Sequence, residues 1–389
     1  MLTPASQAAS IRNAAINAMT IVSPEKNNNS LTGGKLKVAI LGATGMVGQQ
    51  LVRLLANHPW FEIVVVAASA QSAGKSYADA VRGRWAMESG IPANVAAMKL
   101  LDVQHVDDIA PLADIAFCAL NLDKNGVLQL EHAYAARGLW VTSNNSANRH
   151  DPFVPMIIPA VNADHLSVVP YQRKARGYDT GAIMVKSNCS IQSYVIALEP
   201  LREYGVERIN VHSEQAISGA GKTFESFPEI ERNLIPLIDG EERKSEVEPL
   251  KIWGDVSPDG IVPASSPKVN AKCVRVAVLH GHTAYTTVQF RTAPTAEEIL
   301  ERWERYHASD HLPSSPRKPI HYLPQPDRPQ PRLDVMTEDG MAVTVGQLRV
   351  NDGTISFTGL SHNLILGAAG GAVLATEAAI TRGLVYRLV

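Results

Sequence analysis

Three glycines spaced by three residues, Gly42, Gly45 and Gly48, constrain this chain more than any other feature. Before them runs Lys37-Val38-Ala39-Ile40-Leu41, a short apolar run of strand type. After them, Gln49 to His58 keeps helical periodicity until Pro59 stops it. Strand, glycine-rich turn and helix in that order suit a dinucleotide. The glycines let the backbone turn tightly and approach a pyrophosphate, which the helix N-terminus then holds. The spacing is GxxGxxG rather than GxGxxG, and a ligand-free turn can share it. The strand before and the helix after favour the dinucleotide.

The next strand, Glu62 to Ala67, runs into Ala68-Ser69-Ala70-Gln71-Ser72-Ala73-Gly74-Lys75. An NAD site usually places a carboxylate here for the ribose 2′-OH. This chain has none, and two hydroxyls with a lysine suit a 2′-phosphate, so NADP is expected over NAD. Further strands are expected at Ile115 to Leu120, Leu139 to Val141 and Ala182 to Val185, with a helix at Gly126 to Arg137. That alternation predicts a parallel, doubly wound α/β sheet. The polar loop Ser143 to Arg149 would lie at its carboxyl edge, where ligands bind.

Beyond residue 190 the pattern changes. Helical periodicity runs from Ile191 to Tyr204. Long strands are expected at Val206 to Ile217, Lys272 to Leu279, Ala284 to Arg291 and Met341 to Val350. A helix at Thr295 to His307 opens on a capping box, Thr295 with Glu298. This half reads as a second, mixed-sheet α+β domain. Seven prolines between Pro313 and Pro331 exclude regular helix and inner strand there, leaving an extended surface segment. The small-residue stretch Leu366 to Leu384 predicts a closely packed helix returning to the nucleotide half. The expected organisation is a lead-in at 1–34, an NADP-binding domain at 35–187 and 361–389, and a catalytic and oligomerisation domain at 188–360.

Composition removes several function classes. Net charge is -2 over 389 residues, so nothing calls for nucleic acid or an anionic membrane. No apolar run has the length of a membrane span. Cys118, Cys189 and Cys273 are few, odd in number and far apart, which argues against a disulfide framework and against zinc. No metal is expected, and a reducing, cytoplasmic setting fits. Residues 1–34 are rich in Ala, Ser, Asn and Thr. The single Arg12 argues against a transit peptide, so a disordered extension is expected, with a transit peptide as the alternative.

Ser187-Asn188-Cys189-Ser190 sits between the strand at 182–185 and the helix from Ile191. A cysteine at a helix N-terminus has its thiol pKa lowered, and a thiolate attacks carbonyls. A buried structural cysteine is the competing reading. Gln215 precedes the Gly-rich turn Ser218-Gly219-Ala220-Gly221. Glu241 and Lys244 share a face if helical. Arg275 and His282 are seven apart, an offset that splits them across a strand unless Gly281 bends it. Histidine suits acid/base work and arginine suits a carboxylate.

Taken together, Gly42 to Gly48, Ser187 to Ser190, Gln215 to Gly221, Glu241 to Lys244, Arg275 to His282, Asp327 to Asp334 and His362 to Gly370 resemble the aspartate-β-semialdehyde dehydrogenase family, in its archaeal and fungal branch. The matches span about residues 36–385 in consistent order. The resemblance implies Cys189 as nucleophile, His282 as acid/base and Gln215 positioning the acyl group. It implies Arg275 on the substrate carboxylate, Glu241 on its ammonium, Lys244 with Arg149 on phosphate, and Asn188 beside the substrate. It gives NADP to Gly42, Thr44, Gly45, Met46, Val47, Ser69, Ser72, Ser218, Gly219 and Asn363. It implies a homodimer or homotetramer with a small-molecule substrate and phosphate as partners. Two other readings compete: an acyl-CoA reductase acting on malonyl- or succinyl-CoA, and a catalytically silent nucleotide-binding paralogue. Where the branch usually reads Asp-Gly-His-Thr-Glu, this chain has His280-Gly281-His282-Thr283-Ala284.

Overall fold

The structure, a computed structural model, describes residues 19–25, 30–307, 312–351 and 353–388. A short strand β1 (Met19–Ile21) precedes the first sheet. That sheet uses β2 (Leu36–Leu41), β3 (Phe61–Ala68), β4 (Leu101–Asp102), β5 (Ile115–Cys118), β6 (Trp140–Ser143) and β7 (Ala182–Val185). Its order is β4-β3-β2-β5-β6-β7, parallel throughout. Strands β5, β6 and β7 are buried along their whole length, which is why they read as unbroken apolar runs. Helix α1 (Met46–Leu55) follows β2 and α2 (Lys124–Ala136) follows β5.

The second half opens with α3 (Gln192–Leu198). It continues through β8 (Val206–Gln215), β9 (Leu234–Ile235), α4 (Glu241–Ile252), the hairpin β10 (Asp255–Ser257) and β11 (Gly260–Val262), then β12 (Lys268–Val276) and β13 (His282–Phe290). After α5 (Ala296–Arg305) come β14 (Ile320–Leu323), β15 (Val343–Asn351) and β16 (Thr354–Ser361). The seven-stranded mixed sheet has the order β14-β15-β16-β13-β8-β12-β9. Helix α5 carries the expected capping box. The proline-rich stretch contributes β14 at the sheet edge, where only one side needs backbone donors.

The chain then returns through a π-helical turn, Ile365–Ala369, into α6 (Gly370–Thr381) and β17 (Tyr386–Leu388). Helix α6 is buried from Gly370 to Ile380, because it has no polar face to offer solvent. Buried His58 and Glu377, 2.7 Å apart, tie the chain just past α1 to α6. One apolar core runs through both halves.

One expectation is overturned. The lead-in at 1–34 is not wholly disordered. Strand β1 pairs antiparallel with β17, and Val22 and Leu31 are buried. Two buried apolar side chains and a partner strand give this piece its order, which polar composition alone concealed. Residues 1–18 lie outside the described residues.

Candidate active site

Strand β8 lies between β12 and β13, and its end organises the site. Gln215 closes β8 and stands in register with Arg275 on β12. On the other side, Glu214 pairs with Thr283, next to His282. The seven-residue offset between Arg275 and His282 therefore never falls within one strand. Gly281 takes φ +101° at the entry to β13, a backbone that favours glycine.

Cys189 follows β7 in a turn and is half-buried. Its Sγ lies 3.2 Å from His282 Nε2. The His282 ring is buried, and the backbone N–H of Ala216 donates to its Nδ1 at 3.0 Å. With Nδ1 accepting, the neutral ring carries its proton on Nε2, facing the sulfur. Burial, with the Arg275 charge, pushes His282 down to about 3. Burial and then Glu241 push the Cys189 thiol up to about 12, against the pull of Arg149, Arg275 and Lys244. The lowered thiol pKa expected from a helix N-terminus is thus reversed. Helix α3 begins only at Gln192, and desolvation outweighs its dipole.

A ring of charge surrounds this pair. Arg275 Nη1 donates to the Ala216 carbonyl at 2.7 Å. Glu241 accepts from Asn188 Nδ2 at 2.8 Å and from Lys244 Nζ at 2.7 Å. Burial acts to raise the Glu241 carboxyl, but Lys244 and Asn188 outweigh it and hold it below its ordinary value. Both polar atoms of the Asn188 side chain have partners in the protein, since its Oδ1 also accepts from Ser190 N and Oγ. It shapes the Cys189 turn. Arg149 is buried, donates to Glu248 Oε1 at 2.8 Å, and keeps a buried Nε without a partner. Gln215 Nε2 is also buried without a partner.

The nucleotide side is built as the glycines require. Gly42 takes φ +87°, and a Cβ there would meet the Ala119 carbonyl oxygen at 2.2 Å. Gly45 caps α1 without a side chain, leaving the helix end open to an anion. Thr44, Met46 and Val47 are half-buried around it. Ser69 and Lys75 are exposed and Ser72 half-buried at the end of β3. These groups fit NADP: a bare helix end for the pyrophosphate, and hydroxyls with a lysine for a 2′-phosphate. Ser218, Gly219 and Asn363 lie on the cysteine side. Asn363 donates to Ser218 Oγ at 2.8 Å and accepts the Gly281 N–H at 2.9 Å. A Cβ on Gly219 would crowd His282 Cε1 at 3.0 Å and Arg275 Nη1 at 3.2 Å.

Sequence reasoning missed several groups. Glu248 and Lys251 extend the face of α4 that carries Glu241, and the 3.6-residue period places them there without telling that the face is buried. Lys186 is buried and its Nζ has no partner. Gly367 packs against Cys189, since a Cβ there would meet the Cys189 Cβ at 2.8 Å. His280, which the sequence did single out, bonds Ser218 Oγ at 2.9 Å and stacks on His362. Among the described residues, no group of three or more His, Cys, Asp or Glu side chains could hold a metal ion.

Residues 37–169 match the semialdehyde dehydrogenase NAD-binding domain, and residues 198–366 match the semialdehyde dehydrogenase dimerisation domain. An aspartate-semialdehyde dehydrogenase of Trichophyton rubrum is 39% identical over 91% of this chain and 99% of its own. One from Archaeoglobus fulgidus is 41% identical over 88% and 97%. Among solved structures, aspartate semialdehyde dehydrogenase with NADP from Candida albicans superposes with a TM-score of 0.81 at 35% identity. The match covers 90% of this chain and all of that one. With both halves matched in order and relatives followed almost from end to end, this chain belongs to the semialdehyde dehydrogenase family.

Proposed function

We propose that the protein interconverts L-aspartate-4-semialdehyde and L-aspartyl-4-phosphate, as an NADP-linked, phosphate-dependent dehydrogenase of amino-acid biosynthesis. The observation that carries this reading is the 3.2 Å approach of Cys189 Sγ to His282 Nε2 within a ring of charge. An aldehyde must become tetrahedral before it can lose hydride, and a cysteine makes it so. As sulfur bonds to the aldehyde carbon, His282 gives its Nε2 proton to the forming oxygen and takes the thiol proton in return. The ring ends as it began, which suits an imidazole that resists a second proton. NADP, which Gly42, Thr44 to Val47, Ser69 and Ser72 would hold, with Ser218, Gly219 and Asn363 at the cysteine, would supply the hydride acceptor for that carbon. The hydroxyl proton lost with the hydride would leave to solvent past the half-buried Cys189. Phosphate then takes the acyl group from Cys189 as an acyl phosphate.

The charges sort the substrate. Arg275 receives its carboxylate and Glu241 its ammonium, while Lys244 and Arg149 receive phosphate. Gln215 turns its unpartnered Nε2 to the acyl oxygen. The Glu241–Lys244 pair favours an amino-acid aldehyde over a simple dicarboxylic thioester, which brings no ammonium. The domains divide at about residue 188, with the C-terminal segment from about 361 returning to the nucleotide half. The second half, matched to a dimerisation domain, joins copies into a homodimer or homotetramer. The three free cysteines suit a cytoplasmic setting. No described helix is long and apolar enough to cross a membrane.

The test is NADP reduction by aspartate semialdehyde with inorganic phosphate or with coenzyme A as acyl acceptor. Turnover that requires phosphate is expected. Turnover supported only by coenzyme A would overturn the reading.

A further inference from the structure

Two turns beyond Glu241, helix α4 presents a second set of buried charges. Glu248 is 2% exposed. Its Oε1 accepts from Arg149 Nη1 at 2.8 Å, and its Oε2 accepts the backbone N–H of Asn188 at 2.5 Å. One turn later, Lys251 Nζ donates to the carbonyls of Arg149, Asp151 and Val154 at 2.8, 2.6 and 2.8 Å. A single helix therefore grips Arg149 at its guanidinium and at its peptide. The same carboxylate grips the residue before Cys189. Arg149 still has a buried Nε–H that no protein group claims.

We propose that Glu248 is a positioning residue that couples anion binding at Arg149 to the placement of the Cys189 turn. This rests on reading Arg149 as part of the phosphate site. An anion at the unclaimed N–H competes with Glu248 for the guanidinium charge. A carboxylate is rigid and planar, so a change at Oε1 is felt at Oε2, one residue from the sulfur. The coupling is reciprocal: whatever phosphate does to the cysteine turn, an acylated cysteine does to phosphate affinity. Such a link would bring phosphate in when the thioester is ready for it. Glutamine cannot replace Glu248, because its one carbonyl oxygen can serve either donor while its amide meets the other with N–H.

The test uses the full chain, inorganic phosphate as probe, and alkylation of Cys189 by iodoacetamide followed on its own peptide. In the unaltered protein, saturating phosphate should change that rate about fivefold or more. In Glu248→Gln, phosphate bound to saturation should leave the rate nearly unchanged. An equal response in both proteins would mean that phosphate acts on the cysteine directly, and would overturn the proposal. Amide exchange of the unaltered protein decides the matter if the variant fails to fold or to bind phosphate. Phosphate must then alter exchange at Asn188 to Ser190, and unchanged exchange there overturns the coupling. NADP reduction that does not depend on phosphate would instead overturn the assigned function, so the two failures are distinguishable.

Discussion

The chemistry turns on two side chains that are neutral before anything binds. Burial drives the Cys189 thiol up and the His282 ring down, and the Ala216 N–H fixes which ring nitrogen faces sulfur. Alkylation of ligand-free Cys189 should therefore climb from about pH 8 to about pH 10 without levelling off. A plateau below about pH 8 would reveal a resting thiolate. Cys189→Ser should abolish turnover and leave the NADP dissociation constant near its original value; full activity in that variant would end the covalent mechanism. Lys186 offers a test of burial alone. It is buried without a partner, and burial lowers it to about 7. Lys186→Met should stabilise the fold at pH 7 by about 2 kcal/mol in urea titration. For a lysine whose folded pKa is depressed, the unfolded chain holds the extra proton between about 7 and its ordinary value. The unaltered protein therefore gains on the variant as pH rises through that window, and the gap should narrow by about pH 9.5.

Helix α4 shows what an element can hide. The spacing of Glu241 and Lys244 was legible, because a three-residue separation puts both on one face. Glu248 and Lys251 were not, because charges on a helix normally mark its solvated side. Only the fold reveals that this side faces the Cys189 turn and the 149–154 loop. Lys251→Met removes the donor shared by three carbonyls. It should cost about 3 kcal/mol in urea denaturation and raise the KM for phosphate more than that for the aldehyde. Equal changes in both KM values would mean that the loop does not shape the anion site. The strand–glycine–helix unit was readable for a different reason. Gly42 is dictated by the close approach of Ala119, and few residues could replace it. The separation of Arg275 from His282 onto β12 and β13 was beyond sequence, since strand order across a sheet leaves no local mark.

Over the whole molecule, the two halves are joined by the last part of the chain. The π-helical turn packs on α1, while Gly367 lies against Cys189. The nucleotide domain and the nucleophile therefore share one wall. Gly367→Ala sets a methyl within 2.8 Å of the Cys189 Cβ and should lower turnover about tenfold with the fold intact. Unchanged turnover would show the wall to be pliant. The small-residue character of this segment was legible, but its place beside the cysteine was not. At the chain's start, polar composition misled, because pairing of β1 with β17 depends on a partner more than 350 residues away. The covalent step itself can be caught directly. The protein is mixed with aspartate semialdehyde and NADP in the absence of phosphate, quenched in acid and read by peptide mass spectrometry. The Cys189 peptide should carry an aspartyl thioester that disappears when phosphate is added before the quench. A Cys189 peptide that stays unmodified while NADP is reduced, or an adduct that phosphate leaves in place, would contradict the mechanism.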